Sequence, residues 1–156
     1  MKIYKPNPRS TGCAASFSIN SIEQSVFLEI IKQVSWCDKS KVGKFDSSKE
    51  NKINIKFSAA EVAGMMEICQ RRKGKKSYFH KSDAGSAQIT MSIYEKDGQP
   101  QGISLSVTKG DKKAAVPISW DEGNLLFEYF RFALGKMFSA QYTAEKKLFE
   151  NRNKEQ

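Results

Sequence analysis

The side chains that could carry out chemistry in this chain are few, and their spacing matches no catalytic motif. The single histidine, His80, has no cysteine or carboxylate at the spacing that a metal site needs. The sequence has no phosphate-binding Gly-Lys-Ser/Thr loop, no nucleophile elbow and no pair of histidines. We therefore expect a protein that is not an enzyme and that holds neither a metal nor a cofactor.

Lysines and aromatic residues instead occupy the polar positions of alternating segments, as Lys56, Tyr94 and Lys96 do. Binding an unpaired nucleic-acid strand needs cations along its phosphates and aromatic faces that stack on its bases. Tyr94 fits this need best, although it could also cover a sheet edge. Trp36 stands in a polar stretch, which is either a loop that closes over a strand or a solvated loop with one anchoring aromatic. The candidate contacts are Lys5, Arg9, Phe17, Trp36, Lys41, Lys44, Phe45, Lys52, Lys56, Lys76, Tyr78, Tyr94 and Lys96.

The composition shows that the chain is basic and indicates the cellular compartment in which we expect it. Lysine and arginine total 26 against 17 acidic residues, a net charge of +9, which favours polyanionic partners such as nucleic acid. The three cysteines, Cys13, Cys37 and Cys69, form no CxxC motif, and an odd number suits a reducing compartment. The sequence shows no secretion signal and no apolar run long enough to span a membrane. We expect a cytoplasmic location, prokaryotic or viral-host, without membrane association.

Two capping boxes indicate an internal repeat. Ser58 and Glu61 follow an alternating segment and precede a helical apolar stripe, and Ser119 and Glu122 do the same 61 residues later. In a capping box the Ser side chain accepts from the amide three residues on, and the Glu reaches back to the Ser amide. Two such boxes at a fixed offset indicate a duplicated unit.

Each half of the repeat predicts four strands followed by a helix, with pseudo-repeats at about 11–72 and 73–138. The pattern of residues 22–34 fits either a strand or a helix. In the repeat this segment corresponds to a segment of the second half that alternates apolar and polar residues, so we predict a strand. Short turns imply antiparallel pairing. We therefore expect an α+β fold of two antiparallel four-stranded sheets packed together, ββββα twice, in one domain over 1–142 with a charged tail over 143–156. The tail either extends a helix or is disordered.

The second predicted helix, 121–138, is apolar nearly all round. An outer helix of a small domain needs one apolar stripe, so the surplus predicts burial against a second copy of the chain. We expect a homo-oligomer, a dimer or a tetramer, with an interface formed by Leu126, Tyr129, Phe130, Ala133, Leu134 and Met137.

Several short motifs in shared order resemble the Whirly family of plant single-stranded DNA-binding proteins, whose relatives include kinetoplastid guide-RNA-binding proteins and the transcriptional positive coactivator. Residues Thr11-Gly-Cys-Ala-Ala15 stand where the family has Lys-Gly-Lys-Ala-Leu, and Val26-Phe-Leu-Glu-Ile30 is similar to its second hydrophobic strand. Phe57-Ser-Ala-Ala-Glu-Val62 is similar to Leu-Ser-Pro-Thr-Glu-Val, and Tyr78-Phe-His80 to Phe-Phe-His.

The resemblance covers about Thr11 to Tyr142 and implies two packed antiparallel sheets with helices that tie protomers together. It also implies binding of single-stranded DNA with little sequence preference, in replication, recombination or transcription. The alternatives are an RNA-binding or annealing protein on the same fold and a non-enzymatic oligomeric adaptor. One departure is that Thr11 and Cys13 replace the two lysines of a motif that, in the family, lies at the nucleic-acid surface and supports higher assembly.

Overall fold

In the residues that this computed structural model describes, 1–82 and 85–154, nine strands and two helices form two antiparallel sheets, each followed by one helix. The α+β class and the pair of antiparallel sheets are as predicted. Among these residues no helix has the length and hydropathy needed to span a membrane. The elements are β1 (Lys2–Lys5), β2 (Cys13–Asn20), β3 (Ser25–Cys37), β4 (Val42–Phe45), β5 (Lys52–Ser58), α1 (Ala59–Arg71), β6 (Lys75–Ser82), β7 (Gly85–Lys96), β8 (Gln99–Lys109), β9 (Lys112–Ile118) and α2 (Trp120–Lys154).

The first sheet has five strands instead of four and is built around β3. Strands β1, β2 and β3 lie in order, β5 pairs with the first half of β3, and β4 pairs with its second half. An irregularity in register between Gln33 and Ser35 separates the two pairings. The predicted strand at 22–34 is confirmed, because Val26, Leu28 and Ile30 alternate into the core. Strand β1 was not predicted, since four residues carry too little pattern.

The second sheet has four strands in the order β6-β7-β8-β9, as predicted. The turn at Asp97 and Gly98 joins β7 to β8, and both residues have positive φ, 53° and 72°. This is the backbone that two-residue hairpin loops require and that Asp-Gly favours. The sequence signal for this hairpin therefore acts through a conformation that few other residue pairs adopt.

One apolar core joins both sheets and both helices. Phe17 is 2% exposed, and its ring packs edge-on against Phe130 at 5.5 Å and 82°. Phe17 was predicted to contact nucleic acid, which is wrong because the inward face of β2 buries it. Tyr129 of α2 donates to the Phe17 carbonyl at 3.0 Å and fixes the helix to β2.

Both predicted capping boxes are present. Ser58 accepts from the Glu61 amide at 3.3 Å, and the Ser58 amide donates to the Glu61 carboxylate at 2.8 Å. Ser119 and Glu122 make the same pair of bonds, at 3.3 and 2.8 Å. These bonds satisfy amides that would otherwise lack partners at the start of each helix.

Helix α2 continues beyond the predicted helix, so the charged tail extends it as far as Lys154. The last two residues of the predicted tail, 155 and 156, lie outside the described residues. Part of the predicted oligomer interface is wrong, because the helix stripe of Leu126, Phe130, Ala133 and Met137 is fully buried within the protomer. Tyr129 and Leu134 are partly buried, and their role in assembly stays a prediction.

Candidate nucleic-acid interface

The outward surface of the first sheet, called the front face here, combines aromatic rings, lysines and small polar groups. The strand register fixes its membership, since residues directly opposite each other share a face. One row runs across Tyr4, Ala14, Ile31 and Lys52. The full set is Lys2, Tyr4, Ala14, Ser16, Ser18, Phe27, Glu29, Ile31, Phe45, Lys52, Asn54 and Lys56.

Two aromatic positions lie on this face. At one end, the Tyr4 and Phe45 rings pack with centroids 4.8 Å apart and tilted by 47°. The Tyr4 hydroxyl donates to the Gly43 carbonyl at 3.0 Å, which fixes its ring while leaving Tyr4 53% exposed. Phe27 lies four residues along β3 from Ile31, about 13 Å away at 3.3 Å per residue. A shallow groove of about 370 Å³ lies beside the Tyr4–Phe45 pair.

Two lysines of the front face are held by carboxylates that they can exchange for phosphate. Lys52 pairs with Glu29 and Lys56 with Glu23, each at 2.5 Å. The Lys56 ammonium also lies 5.8 Å from the centroid of the Phe27 ring. Such partly exposed pairs contribute about 0–1 kcal/mol, so an incoming phosphate displaces them at low cost. The pairs therefore hold the cations near the rings without blocking a ligand.

The hairpin of β3 and β4 corrects the prediction of a loop around Trp36. Trp36 lies within β3, opposite Gly43, and its ring N–H donates to the Asp38 carboxylate at 3.1 Å. Lys41 lies in the exposed turn with a φ of 54°, and Lys44 is exposed on β4. Trp36 and Lys44 therefore lie on a strand pair at one end of the front face, and Lys41 lies in the turn that joins the two strands.

A buried amide anchors the segment between β1 and β2 to this end of the sheet. Gln33 is 5% exposed, accepts from the Asn7 amide at 2.9 Å and donates to the Asn7 and Ser35 carbonyls at 2.9 Å. A Cβ at Gly12 would lie 2.2 Å from the Lys5 carbonyl oxygen and 2.4 Å from Gln33 Oε1. Only glycine fits there, so Gly12 and Gln33 together position β1 and its Tyr4.

The two positions that differ from the Whirly motif lie in different surroundings. Thr11 is exposed, and its amide donates to the Asn7 side chain at 3.2 Å. Cys13 points into the core, where its thiol donates to the Ala115 carbonyl at 3.5 Å. Burial raises the pKa of Cys13, and the nearby Lys5 opposes this in part. Neither position supplies a cation to the front face.

Several predicted contacts lie away from the front face. The Lys5 ammonium pairs with Glu122 at 2.6 Å, and Lys76 pairs with Glu67 at 2.7 Å. The Tyr78 hydroxyl donates to the Glu61 carbonyl at 3.1 Å. Tyr78 and Lys76 therefore pack on α1, and Lys5 ties β1 to α2. Strand alternation turns these three side chains toward the helices, and their role as nucleic-acid contacts stays a prediction.

His80 also faces α1, where Nε2 lies 2.5 Å from the Glu61 carboxylate. Burial acts to raise the pKa of Glu61, but the hydrogen bonds from His80 and Ser58 outweigh it and hold that pKa below its ordinary value. The histidine therefore supports the start of α1.

Tyr94 and Lys96 lie near the end of β7 in the second sheet. Tyr94 is 49% exposed on the outward surface of that sheet. This surface, called the back face here, is rich in hydroxyl groups, and Ser77 and Thr90 bond across it at 3.0 Å. Arg9 is exposed in the turn between β1 and β2. The predicted site residues are therefore divided between two surfaces. The back face includes Ser77, Phe79, Gln88, Thr90, Ser92, Tyr94, Ser104, Ser106, Thr108 and Lys113.

Tyr4 and Phe27 were not predicted as site residues. A signal for each exists in the sequence, since Phe27 alternates with the apolar Val26 and Leu28, and Tyr4 alternates with Ile3. Phe27 was missed because its segment is apolar on both faces, and Tyr4 was missed because its segment has only four residues.

The comparisons with known proteins find shared folds but no close sequence relative. No family model matches the chain, and no curated protein matches it. A guide-RNA-binding protein complex bound to a guide RNA matches with a TM-score of 0.65 at 13% identity, over 86% of this chain and 88% of that one. The plant transcriptional regulator PBF-2 matches with a TM-score of 0.62 at 17% identity, over 95% and 86%. WHY3 from Arabidopsis thaliana matches with a TM-score of 0.61 at 16% identity, over 93% and 91%.

These matches agree with the family resemblance that the sequence motifs indicate. At such low identity they describe the fold. The arrangement of two antiparallel sheets, each followed by a helix, is thus the fold shared with the Whirly proteins and the guide-RNA-binding proteins.

Proposed function

We propose that this chain binds single-stranded nucleic acid through the front face, with little sequence preference and without catalysing a reaction. The observation that carries the proposal is the placement of aromatic rings beside lysine ammonium groups on one outward sheet surface. The rings are those of Tyr4, Phe27 and Phe45.

The geometry accounts for binding that ignores sequence. A ring stacks on any base, because every base has a flat face, and each stack is worth roughly 1–3 kcal/mol. Lys52 and Lys56 contact phosphates, which all nucleotides share. A duplex keeps its bases stacked inside, so it offers the rings no partner. Single strands are therefore the preferred ligand.

The structural neighbours support this proposal, and they leave DNA and RNA as alternatives. One neighbour is a protein complex bound to a guide RNA, and another is a plant transcriptional regulator. We take single-stranded DNA as the first ligand, in replication, recombination or transcription. RNA binding or annealing is the second candidate, favoured by the guide-RNA complex. An oligomeric adaptor for acidic proteins would use the same basic surface.

A titration tests the class of ligand. Fluorescent single-stranded DNA, RNA and duplex DNA of equal length are titrated at several salt concentrations. We expect single strands to bind more tightly than duplex, with an affinity that falls steeply as salt rises. Duplex binding as tight as single-strand binding would overturn the proposal. The ratio of DNA to RNA affinity decides between the two candidates.

A matched pair of tyrosines tests the face. Tyr4→Ala removes a ring from the front face, and Tyr94→Ala removes one from the back face. We expect Tyr4→Ala to weaken single-strand binding by about 1–3 kcal/mol and Tyr94→Ala to leave it unchanged. Thermal melts check that both variants fold. The opposite pattern would move the site to the back face, as the sequence predicts from Tyr94.

A further inference from the structure

A pocket lies beside the outer edge of β5, where the first sheet meets the second. Its volume is about 350 Å³, which falls in the range of sites that hold small ligands. Phe27, Asn54 and Lys56 line it from the first sheet, and His80 and Lys109 line it from the second. Because the first three residues belong to the front face, the pocket adjoins that face beside the Phe27 ring.

The inner side of the pocket is closed by the core. Ile55 and Ala87 line it there, and they are only 3% and 5% exposed. The His80 ring forms one wall and is held by the bond between its Nε2 and the Glu61 carboxylate. A strand that enters from the front face therefore finds no exit on the far side. The pocket fits the end of a strand better than a segment in the middle of one.

The side chains at this pocket leave positive charge without a counter-charge. Lys109 Nζ donates to the Asn54 backbone carbonyl at 2.9 Å, and a carbonyl carries no net charge. Lys109 forms no ion pair with any residue that the structure describes. Lys56 pairs with Glu23 at 2.5 Å, but both side chains are about half exposed, so an anion can displace the carboxylate. An ammonium group has three protons, so both lysines keep donors for a further acceptor.

The outer edge of β5 adds backbone donors to the pocket. This strand pairs with β3 on one side, and its other edge borders the pocket. In an antiparallel strand the amide and the carbonyl of one residue point the same way, and successive residues alternate sides. The Asn54 carbonyl accepts from Lys109 at this edge, so the amides of Asn54 and Lys56 point to the same edge. Two ammonium groups and two amides at the edge of a sheet are the donor set of an anion site.

We propose that this pocket binds the phosphomonoester at the end of a single strand. The inference rests on the proposed function and adds to it a preference for one kind of strand end. A phosphomonoester carries a charge of about −1.5 to −2 near pH 7 and has three free oxygens. A phosphodiester inside a strand has a single charge and two free oxygens, so it makes fewer bonds to the same donors. Lys56, Lys109 and the β5 amides bind the terminal phosphate, and the adjoining base stacks on Phe27.

Three strands of one sequence, each about eight nucleotides long and labelled at an internal base, test this preference. The first ends in a 5′-phosphate, the second in a 3′-phosphate, and the third in hydroxyl groups at both ends. We expect one phosphorylated strand to bind the natural chain about tenfold more tightly than the hydroxyl-ended strand, and the favoured end gives the strand direction. Equal affinity for all three strands, or an equal gain at both ends as added charge alone gives, would overturn the proposal.

Lys109→Gln and Lys112→Gln form a matched pair of variants. Both lysines belong to the hairpin of β8 and β9 and donate to backbone carbonyls in or near β5, but only Lys109 lines the pocket. We expect Lys109→Gln to bind the favoured strand within about twofold of the hydroxyl-ended strand, and Lys112→Gln to keep the preference of about tenfold. Because Lys109 is not a front-face residue, its variant should bind the hydroxyl-ended strand like the natural chain. Thermal melts check that both variants fold. A preference that Lys109→Gln keeps, or that both variants lose equally, contradicts the proposal.

The hydroxyl-ended strand keeps this test apart from the proposed function. If the natural chain fails to bind that strand, the front-face proposal fails, whereas binding without any gain from a terminal phosphate contradicts the pocket alone. Adenosine 5′-monophosphate, titrated by itself, separates a strand end from a free nucleotide. We expect it to bind about a hundredfold more weakly than the favoured strand, because it lacks the further stacked bases. A mononucleotide that binds as tightly as the strand would overturn the assignment to a strand end.

Discussion

At the scale of single residues, Glu29 is the carboxylate that opposes the proposed function. It lies on the front face and pairs with Lys52 at 2.5 Å, with 37% of its side chain exposed. A phosphate that takes its place at Lys52 is repelled by the remaining negative charge. We expect Glu29→Gln to tighten single-strand binding by about 1 kcal/mol at low salt, the size of a surface interaction between charges a few ångströms apart. Added salt should shrink the gain.

Fluorescence titration of the natural chain and of Glu29→Gln measures this change. Glu145→Gln serves as the control, because it removes the same charge from the distal part of α2. Weaker binding by Glu29→Gln than by the natural chain would show that Glu29 aids the ligand by orienting Lys52. An equal gain in affinity for both variants would show that the effect comes from net charge alone and not from the position of Glu29.

The same scale shows how far a sequence can specify a site. Alternation correctly puts Lys56 on the outward face of β5, since the neighbouring Ile55 and Phe57 are core. In β2, Phe17 alternates with Ser16 and Ser18 and shares a face with Cys13 and Ala15, so its assignment to the surface went against the pattern, and the structure places it in the core. Tyr78 shows a limit of the pattern, because its outer neighbour is a helix that only the three-dimensional fold brings there.

At the scale of elements, the capping boxes make the start of each helix sensitive to acid. Burial acts to raise the pKa of Glu122, but hydrogen bonds from Lys5 and Ser119 outweigh it and hold that pKa below the ordinary 4.5. A carboxylate with a lowered pKa in the folded state stabilises the fold above its unfolded pKa. That contribution is lost as the pH falls through the folded pKa. The α2 cap should therefore weaken below about pH 4.5.

Urea unfolding at pH 7, 5, 4 and 3 tests this cap. Glu122→Gln should lower the free energy of unfolding by about 1 kcal/mol at pH 7, because the amide keeps the capping-box bond but loses the ion pair with Lys5 and the charge-assisted strength of its hydrogen bonds. The difference from the natural chain should shrink as the pH falls below 4.5 and through the lowered pKa of Glu122. Glu50→Gln, in an exposed turn, should match the natural chain throughout. If Glu122→Gln remains less stable than the natural chain by the same free energy at pH 3, the lost stability comes from packing and not from the charge of Glu122.

Elements were predictable where local pattern and local chemistry agree. The Asp97–Gly98 hairpin and both helix starts follow from turn and cap residues within a few positions. Strands β1 and β4 have four residues each and pair with the neighbouring strands β2 and β3. Four residues are too few for the alternation of a strand to stand out in the sequence. The front face depends on both strands, which is why its Tyr4–Phe45 pair was not predicted.

At the scale of the whole molecule, the homo-oligomer that the sequence predicts would join two or more front faces in one particle. A strand long enough to reach both faces binds the second one as an intramolecular step, and its overall affinity rises without any new contact. A short strand reaches only one face and gains nothing. Chain length of the ligand therefore reports whether the proposed binding and the predicted homo-oligomer operate together.

Phe132→Glu separates the two effects, because it puts a charge among the exposed apolar side chains of α2, where the predicted assembly would bury it, and α2 is not part of the front face. We expect it to bind a strand of about eight nucleotides, within the footprint of one single-strand-binding module, like the natural chain. It should bind a strand several times longer at least tenfold more weakly, since linked sites commonly gain 10²–10⁴ in affinity. Paired titrations at one salt concentration measure both. Equal losses for short and long strands would mean that Phe132 acts on the binding face itself, and no loss for either would mean that the faces bind independently.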